Sequence, residues 1–582
     1  MSFLKILGNN KKNKRRLSQE ILPEEIFLDA RNLSNLATEN AGTSFKKPVL
    51  KNSALVTVFI LFCIFSVFCY RAYVLQIKEV EIWTSKAYSN YTNRSPIFAY
   101  RGMIKDRNGV VLAWNDSLDS KQDTSTLSIP KRHYIKYSGF GNLLGFINYP
   151  KKDKSGIFWR DDYAGGDGLE KYYDEYLTGE KGERVLEVNV KNEIIRDNTL
   201  NVPKDGSVLI LSVDSKVQGI FFNRLKEVVD AQRFAGGAGI LMNINTGEII
   251  AAASYPDYDN NIFVNASSTE EHDIKENYLK QKDTPMLNRA ISGLYTPGST
   301  VKPFIAYGAL TEGVIDELKS ILSTGKLVIK NRYDGPDTVF RDWKAHGYVD
   351  ARQAIAVSSD EYFYQIGGGY KDQEGLGIKR IDQYMSMFGF ASSTGVDFAL
   401  EKNGIIPTPE WKKKNFEDGR WLLGNTYHSS IGQYGFKVSP LELARAIAAI
   451  GNGGILITPK IAKENASKKS QKINLNLNRK YLKVVQEGMK RSASDVGTAH
   501  YFKDLPFDVA AKTGTAQLGI KNERVNSWST GYYPYDNANS EPKFVFVLMM
   551  ENGPITNTVA ASKIMREVFQ DMLDQGLEYV NF

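Results

Sequence analysis

Cysteine is nearly absent from this chain of 582 residues, since it occurs only as Cys63 and Cys69, and both lie in one uncharged apolar stretch. Outside that stretch a single chain has no thiol that could form a disulfide or bind a metal ion. A large excess of charge is lacking too, because the formal net charge is only +8. Spread over the whole length, this imbalance does not predict a nucleic-acid-binding protein.

An apolar run near the start of the chain has no charged residue from Asn52 to Tyr70 and is rich in Val, Ile, Leu and Phe. It is long enough to cross a bilayer core of about 30 Å as a helix, so we predict a transmembrane helix over residues 52–72. A cleaved secretory signal is disfavoured, because the run is too long, begins late and lacks a small-residue cleavage site. A lipoprotein site at Cys69 is disfavoured as well, because the bulky Phe68 precedes it.

Basic residues are concentrated before the apolar run and include Lys11, Lys12, Lys14, Arg15, Arg16, Lys46, Lys47 and Lys51. Because basic flanks stay in the cytoplasm, we expect residues 1–51 to form a cytoplasmic tail. The residues beyond the membrane helix would then lie on the extracytoplasmic side. We interpret the basic cluster as a topology signal rather than as a nucleic-acid site.

Three short strings further along carry the residues of acyl transfer: Ser299-Thr300-Val301-Lys302, Ser358-Ser359-Asp360 and Lys512-Thr513-Gly514. The first supplies a serine nucleophile and, three residues on, a lysine that can take its proton. Pro297-Gly298 is turn chemistry, which predicts an α-helix from about Ser299. The second string supplies a hydroxyl that can relay the proton, and the third supplies a cation suited to a substrate carboxylate.

Each string alone also occurs for structural reasons, as a helix cap, a turn or the end of an edge strand. In combination they resemble the strings of the penicillin-binding proteins and serine β-lactamases, and their wide separation is similar to that of the larger transpeptidases. Residues 101–109 and 165–179 resemble landmarks of the monofunctional class B enzymes, and residues 421–433 resemble the region before the Lys-Thr-Gly strand. No acidic glycosyltransferase signature is present in the sequence, which disfavours the bifunctional class A.

Within class B, Phe340-Arg341-Asp342-Trp343 and the acid at Asp360 resemble the elongation-type branch, penicillin-binding protein 2. The septal branch more usually carries Asn at the position of Asp360. The resemblance implies a β-lactam-sensitive peptidoglycan D,D-transpeptidase of the bacterial inner membrane, with a single membrane pass and a periplasmic catalytic domain. It also implies stem peptides ending in D-Ala-D-Ala as substrates. Its implied partners are a membrane glycan polymerase of the SEDS type and other elongation-complex proteins.

The resemblance implies that Ser299 attacks the carbonyl between the two terminal D-alanines and that unprotonated Lys302 accepts its proton. Ser358 would pass a proton to the leaving amine. A carboxylate at Asp360 favours the charged form of Lys302, whereas Lys512 favours the neutral form, and the sequence leaves that balance open.

The Lys-Thr-Gly strand is expected to bind the terminal carboxylate of the substrate, Lys512 by its charge and Thr513 and Thr515 by their hydroxyl groups. Gly514 would let the ligand approach the backbone closely. Backbone N–H groups of Ser299 and Thr515 would hold the oxyanion.

Some members of this family carry a structural metal between the first two strings, and Asp342 with His346 resembles a remnant of such a site. No cysteine completes the ligand set, so we expect a solvated surface pair at these positions. We predict no metal and no cofactor.

The domain organisation is predicted from pattern and resemblance. Residues 78–230 have short alternating strands with turn signals such as Asn108-Gly109, and they resemble the elongated pedestal, or dimerisation-like, domain of the class B enzymes. Residues 235–582 are expected to form the transpeptidase domain, an α+β arrangement of one antiparallel sheet flanked by helices, as in the penicilloyl-serine-transferase fold. Its predicted strands and closing helix lie at 239–244, 248–252, 508–516, 526–533, 543–550 and 559–573.

Three alternatives remain open at this point. Water could resolve the acyl-enzyme, as in a D,D-carboxypeptidase or a β-lactamase, or the enzyme could belong to the septal branch. The chain could also be a non-catalytic, membrane-tethered sensor that binds the cell wall through the same pocket. The presence of all three strings disfavours the sensor.

Overall fold

The computed structural model describes residues 51–582 apart from residues 117–128, 137–138, 154–157, 189–193, 266–268, 332, 334, 464–470, 536–540 and 558. The chain divides into two compact units, residues 1–92 and 93–582. The predicted cytoplasmic tail lies outside the described residues except for its last residue, Lys51.

The described part of the first unit is helical. Helix α1 spans Lys51–Tyr73 and continues as a π-helical turn over Val74–Lys78, and α2 spans Val80–Tyr91. In the part of the chain that the structure describes, one stretch, Asn52–Lys78, has the length and the mean hydropathy of 2.4 that suit a membrane span. It extends beyond the predicted end at residue 72. A helix that is apolar on all sides requires an apolar environment, as a bilayer provides.

The next part of the chain consists of short strands and helices. In chain order they are β1 (Thr92–Ile97), β2 (Ile104–Lys105), β3 (Val111–Asn115), β4 (Arg132–Tyr134), α3 (Gly141–Leu144), β5 (Ile147–Asn148), β6 (Lys151–Lys152), β7 (Phe158–Arg160), β8 (Ala164–Gly165), α4 (Gly168–Tyr172), α5 (Asp174–Thr178), β9 (Gly182–Val188), β10 (Ile194–Asn201) and β11 (Leu209–Ile210). They pair as the sheets β1-β9-β10 and β11-β2-β3-β4 and as the two-stranded pairs β5-β8 and β6-β7.

A buried ion cluster stabilises this region. Arg101 Nε donates to Glu170 Oε2 at 2.5 Å, and Arg132 Nε donates to Glu170 Oε1 at 2.8 Å. All three side chains are 0% exposed. Burial alone would raise the pKa of Glu170, but attraction to the two guanidinium groups and their hydrogen bonds lower it below its usual value. Arg101 also pairs with Asp174 Oδ1 at 2.8 Å, so each guanidinium has a carboxylate partner and is tolerated in the interior.

The remainder of the second unit contains the larger elements. In chain order they are α6 (Ser215–Gln232), β12 (Gly236–Asn243), β13 (Ile249–Tyr255), α7 (Asn260–Asn265), α8 (Thr269–Lys280), α9 (Lys302–Thr311), β14 (Ile321–Ser323), β15 (Lys326–Ile329), β16 (Thr338–Arg341), β17 (Gly347–Val349), α10 (Ala351–Val357), α11 (Asp360–Gly368), α12 (Gly377–Met387), α13 (Pro409–Asn415), α14 (Leu423–Ser430), α15 (Pro440–Gly451), β18 (Ile455–Ile457), β19 (Lys472–Asn474), α16 (Arg479–Ser492), β20 (Ala510–Leu518), β21 (Arg524–Tyr533), β22 (Phe544–Pro554) and α17 (Ala561–Asp574). Short 3₁₀ turns lie at Gly298–Val301, His500–Phe502 and Glu578–Val580.

Five strands of this part form one antiparallel sheet in the order β13-β12-β22-β21-β20. The first and last portions of the region therefore meet in a single sheet, as predicted, and β20 lies at its edge. The predicted α+β fold is confirmed. Helix α17 follows the sheet at the place where the apolar periodicity predicts a helix.

Side chains of the central strands alternate between two cores, one on each face of the sheet. The core that includes residues of α6 and α17 also contains Leu241 and Phe546. The core that includes residues of α15 contains Ile240 and Val547. This period of two is what places neighbouring residues of a strand on opposite faces.

Between α9 and α10 the chain forms two short antiparallel pairs, β14-β17 and β15-β16. We call residues 321–349 the hairpin insert. The paired residues Leu327 and Phe340 are buried, whereas the neighbouring pair Lys326 and Arg341 is exposed. One face of the insert is therefore packed, and its last strands lead directly to the helix that precedes Ser358.

Candidate active site

The nucleophile candidate Ser299 lies in a 3₁₀ turn, Gly298–Val301, that leads into α9. The expected α-helix from about Ser299 is therefore wrong in type, and the reason lies in Pro303. An α-helical bond to the Ser299 carbonyl would need an N–H at position 303, which proline lacks. The N–H of Lys302 donates to Ser299 O instead, which is the three-residue bond of a 3₁₀ turn. With three residues per turn, Ser299 and Lys302 lie on one face.

Strand β20 packs directly against this turn. Gly514 has no side chain, and a Cβ there would lie 2.8 Å from Pro297 O and 2.8 Å from Thr300 Cγ2. The backbone of Thr515 lies beside the turn too, since a Cβ on Gly298 would approach Thr515 O to 3.2 Å. Gly514 therefore permits a close approach between strand β20 and the nucleophile turn.

Two further contacts hold the turn from other sides. The Gly298 N–H donates to Gly432 O at 3.0 Å, and Gly432 itself has a φ of 72°, in the left-handed region. The indole of buried Trp528 donates to Thr296 O at 3.0 Å. The segment 430–433, singled out from the sequence only by resemblance, therefore contacts the backbone of the nucleophile turn.

Ser358 lies at the junction of two helices. It ends α10 in a left-handed conformation with φ 57°, and Ser359 caps the start of α11 by accepting from the Tyr362 N–H. A serine with positive φ is uncommon and requires support from its surroundings.

The hydroxyl of Ser358 lies between two buried amines. Lys302 Nζ is 3.3 Å from Ser358 Oγ and also donates to Ser358 O at 2.7 Å and to Asp360 Oδ1 at 2.7 Å. Lys512 Nζ donates to Ser358 Oγ at 2.9 Å and to Thr513 O at 2.7 Å. The structure thus brings four of the predicted residues into one hydrogen-bonded group.

The two lysines are in different electrostatic settings. Lys302 has a carboxylate partner in Asp360, and its own side chain is 0% exposed. Lys512 has none at hydrogen-bond distance among the described residues. Burial first, and then the charge of Lys302, lower the pKa of Lys512 well below its usual value, against a smaller opposite effect of Asp360. The surroundings of Lys512 therefore favour its neutral form.

Ser299 is half-buried, and among the described residues no hydrogen bond joins its hydroxyl to Lys302. The expected hydrogen bond between Ser299 and Lys302 is therefore not formed in this structure, because Lys302 donates to Ser358 and Asp360 instead. Catalytic hydrogen bonds are often formed only once substrate is bound. The shared turn keeps both residues on the face that the contact needs.

The threonine candidates of β20, Thr513 and Thr515, lie two residues apart and therefore on one face of the strand. Thr515 is exposed, and Thr513 donates from Oγ1 to Thr498 Oγ1 at 2.7 Å. Thr498 has no signal in the sequence, since it lies outside the three strings. Because β20 is an edge strand, the side of it away from β21 can pair with an extended peptide.

The pair of Asp342 and His346 is buried rather than solvated, which corrects the expectation from the sequence. Their side chains are 0% and 2% exposed, with His346 Nε2 3.6 Å from Asp342 Oδ1. Burial lowers the pKa of His346, against attraction by Asp342. The described residues contain no group of three or more His, Cys, Asp or Glu side chains that could hold a metal ion.

The oxygens of Asp342 already have donors within the protein. One accepts from Ser359 Oγ at 2.7 Å and from the Glu361 N–H at 2.9 Å, and the other accepts from the Trp343 N–H at 2.8 Å. A serine hydroxyl also replaces the thiolate that a zinc site would use. This donor set does not fit a structural metal, and the network is one of hydrogen bonds.

Comparisons with known proteins place these features in context. Residues 237–574 match the family described as "Penicillin binding protein transpeptidase domain", and residues 121–211 match "Penicillin-binding Protein dimerisation domain". "Peptidoglycan D,D-transpeptidase MrdA" of Haemophilus influenzae is 32% identical over 485 residues, which cover 77% of this chain and 70% of that protein.

Solved structures are similar over most of the chain. One, titled "Structural coordination of polymerization and crosslinking by a peptidoglycan synthase complex", has a TM-score of 0.69 and 26% identity, covering 90% of this chain and 97% of its own. Another is "Complex between Penicillin-Binding Protein (PBP2) and MreC from Helicobacter pylori", with a TM-score of 0.67, 25% identity and coverage of 83% and 99%.

Proposed function

The chain belongs to the transpeptidase family of the penicillin-binding proteins, and on that premise we propose that it cross-links peptidoglycan stem peptides through an acyl-enzyme on Ser299 during cell elongation. It is a serine-type D,D-transpeptidase. The likeness to MrdA and to penicillin-binding protein 2 confirms the elongation-type branch predicted from Asp360 and residues 340–343. One observation carries the assignment of roles: Ser358 Oγ bridges the two buried amines beside the nucleophile turn.

Acylation begins with attack of Ser299 Oγ on the carbonyl between the terminal D-alanines of a donor peptide. Lys302 accepts the serine proton, so it must first be unprotonated. Ser358 can pass a proton between Lys302 and Lys512, because its oxygen is 3.3 Å from one amine and 2.9 Å from the other. The lowered pKa of Lys512, due to burial and the Lys302 charge, makes that amine a weaker base, so a proton that reaches it is readily passed on through Ser358.

The leaving D-alanine receives a proton through Ser358, and the products of this step are the acyl-enzyme and free D-alanine. The N–H groups of Ser299 and Thr515 hold the oxyanion, which the close packing of β20 on the turn supports. Lys512, Thr513 and Thr515 bind the terminal carboxylate. Gly514 allows strand β20 to lie close to the nucleophile turn. An amine of a neighbouring stem peptide then attacks the ester, forms the cross-link and releases Ser299. A β-lactam acylates the same serine.

The protein is membrane-anchored, with the stretch Asn52–Lys78 as its candidate anchor. We assign residues 1–51 to the cytoplasm and the catalytic region to the periplasmic side of the inner membrane, because the basic residues precede the anchor. We further assign residues 78–230 to the pedestal domain and 235–582 to the transpeptidase domain. A SEDS-type glycan polymerase and other elongation-complex proteins are its proposed partners, supported by relatives solved in a synthase complex and with MreC.

Labelling with a fluorescent penicillin tests the nucleophile. We expect one covalent label per chain, mapped by peptide mass to Ser299, and no label on Ser299→Ala. Ser320→Ala is the matched control, since Ser320 is exposed on a loop outside the site. A label that persists on Ser299→Ala refutes the assignment. Absence of any label on the wild-type protein favours the sensor, and rapid turnover of penicillin favours a hydrolase.

A further inference from the structure

Two buried carboxylates join the hairpin insert to the Ser358 string. Asp342 reaches from the insert to the string, and Glu361 reaches from the string side back to the insert. From the insert, Asp342 accepts hydrogen bonds from Ser359 Oγ at 2.7 Å and from the Glu361 N–H at 2.9 Å. Its side chain is 0% exposed. Asp342 therefore fixes the residues on both sides of Asp360 to the end of β16.

Glu361 forms the reciprocal connection. Its Oε2 accepts from the Gly325 N–H at 2.8 Å and from the Lys326 N–H at 3.1 Å, and Thr324 Oγ1 donates to its Oε1 at 3.2 Å. Glu361 is 3% exposed. We call Asp342 and Glu361 the carboxylate clamp. Both members accept bonds from backbone N–H groups, and at Asp342 each of the two oxygens does so, so an amide at position 342 must turn its nitrogen towards a donor.

Ser358 depends on its neighbours for its position. Its backbone has a φ of 57°, and its hydroxyl is bonded only to the two amines that it connects, within the part of the chain that the structure describes. The residue that follows, Ser359, is the one that Asp342 holds. A strained backbone conformation persists when surrounding contacts over-determine it, and the clamp provides such contacts.

We propose that Asp342 is a positioning residue for acylation, which holds Ser358 in the conformation where its hydroxyl bridges Lys302 and Lys512. The inference rests on the proposed function, because it assigns to the clamp an effect on the acylation of Ser299. Asp342 does not touch the reacting atoms. It acts through Ser359 and the backbone of the string.

Asp342→Asn tests this proposal through the rate of acylation by a fluorescent penicillin. In the variant the side chain must present its amide nitrogen either to the Trp343 N–H or to the Ser359 and Glu361 donors. We expect the second-order acylation constant to fall by about 10-fold to 100-fold, as displacement of a catalytic group by about 1 Å does. The final label should still reach one per folded chain. A structural role alone would lower the number of labelled chains and leave the rate of the remainder unchanged.

The matched control is Asp337→Asn, on the same insert, where the carboxylate forms a surface ion pair with Lys330. Its acylation constant should stay within twofold of wild type. If Asp342→Asn also stays within twofold, the proposal is overturned. If Asp342→Asn fails to fold, Ser359→Ala is the second test, because it removes only the hydroxyl that Asp342 binds. The proposal then requires the acylation constant of Ser359→Ala to fall at least fivefold.

A double-mutant cycle identifies the route of the effect. In a Ser358→Ala background, Asp342→Asn should change the acylation constant by less than twofold, because the group that it positions is already gone. If the two losses multiply instead, Asp342 acts by another route and the proposal is wrong. Failure of the proposed function looks different, since the wild-type protein itself would then show no label at Ser299.

Discussion

The contact between β20 and the nucleophile turn predicts that Gly514→Ala inactivates the enzyme without unfolding it. A Cβ at this position would lie 2.8 Å from both Pro297 O and Thr300 Cγ2, whereas ordinary contacts begin at 3.4 Å. Neither atom can yield alone, because Thr300 Oγ1 donates to Pro297 O at 3.1 Å and both belong to the same turn. The strand and the turn must therefore separate by about 0.6 Å.

This separation moves the two proposed oxyanion donors apart, because Ser299 belongs to the turn and Thr515 belongs to the strand. A misplacement approaching 1 Å costs about 100-fold in rate, so we expect the acylation constant to fall by roughly that factor. Gly514 is not among the residues with positive φ, so the backbone itself accepts alanine. The cost in stability should be only that of local overpacking, about 1–3 kcal/mol.

The assay is the rate of labelling by a fluorescent penicillin at several concentrations, together with a thermal melting curve. Gly219→Ala is the control, because no heavy atom lies within 4 Å of its added Cβ and it lies within α6. Alanine there should leave acylation unchanged and raise stability by about 0.5–1 kcal/mol. A folded Gly514→Ala variant that acylates within threefold of wild type would refute the view that this contact sets the oxyanion geometry.

Two further predictions concern buried charge. Glu170→Gln leaves the buried Arg132 without its carboxylate and Arg101 with Asp174 alone, and should cost about 3–5 kcal/mol in urea unfolding at pH 7. Burial alone raises the pKa of Glu170 but its arginine partners lower it overall, so the wild-type advantage should decline as the pH falls below 4.5; equal stability at pH 7 contradicts this. Lys512→Met should abolish acylation yet raise the melting temperature at pH 7, because burial and the charge of Lys302 lower the pKa of Lys512, so the folded protein disfavours the charged amine that the unfolded chain carries. This gain should shrink as the pH rises towards 10.5, and a variant less stable than wild type at pH 7 contradicts it.

Local pattern was sufficient to predict the framework of the catalytic region. Alternating apolar residues around Asn245-Thr246-Gly247 predicted the hairpin of β12 and β13, and Gly247 has the positive φ of 76° that such a turn requires. The strands β20 to β22 and helix α17 follow from the same periodicities. These elements are set by the period of their own residues, which a single sequence contains.

Contacts between distant segments were beyond that pattern. The sequence predicts a solvated surface for Asp342, but its side chain is buried because strands β14 to β16 of the hairpin insert contact α11. Nothing in the spacing of residues 342 and 359 indicates that their side chains bond, since the path between them contains two changes of direction. The bond between Thr513 and Thr498 is invisible for the same reason.

The 3₁₀ turn, in contrast, could have been derived. Pro303 removes the one N–H that an α-helical bond to the Ser299 carbonyl needs, and the sequence contains this fact. The physical reason was present in a single residue.

That turn has a consequence for how the enzyme can change. The bond from the Lys302 N–H to Ser299 O joins the backbones of attacking alcohol and accepting amine directly, so the two move as one rigid piece. A bulkier antibiotic that displaces the serine displaces its lysine in step, and their mutual spacing is preserved. Adaptation to new drugs therefore falls to the walls around this pair, which are β20 and the Ser358 string.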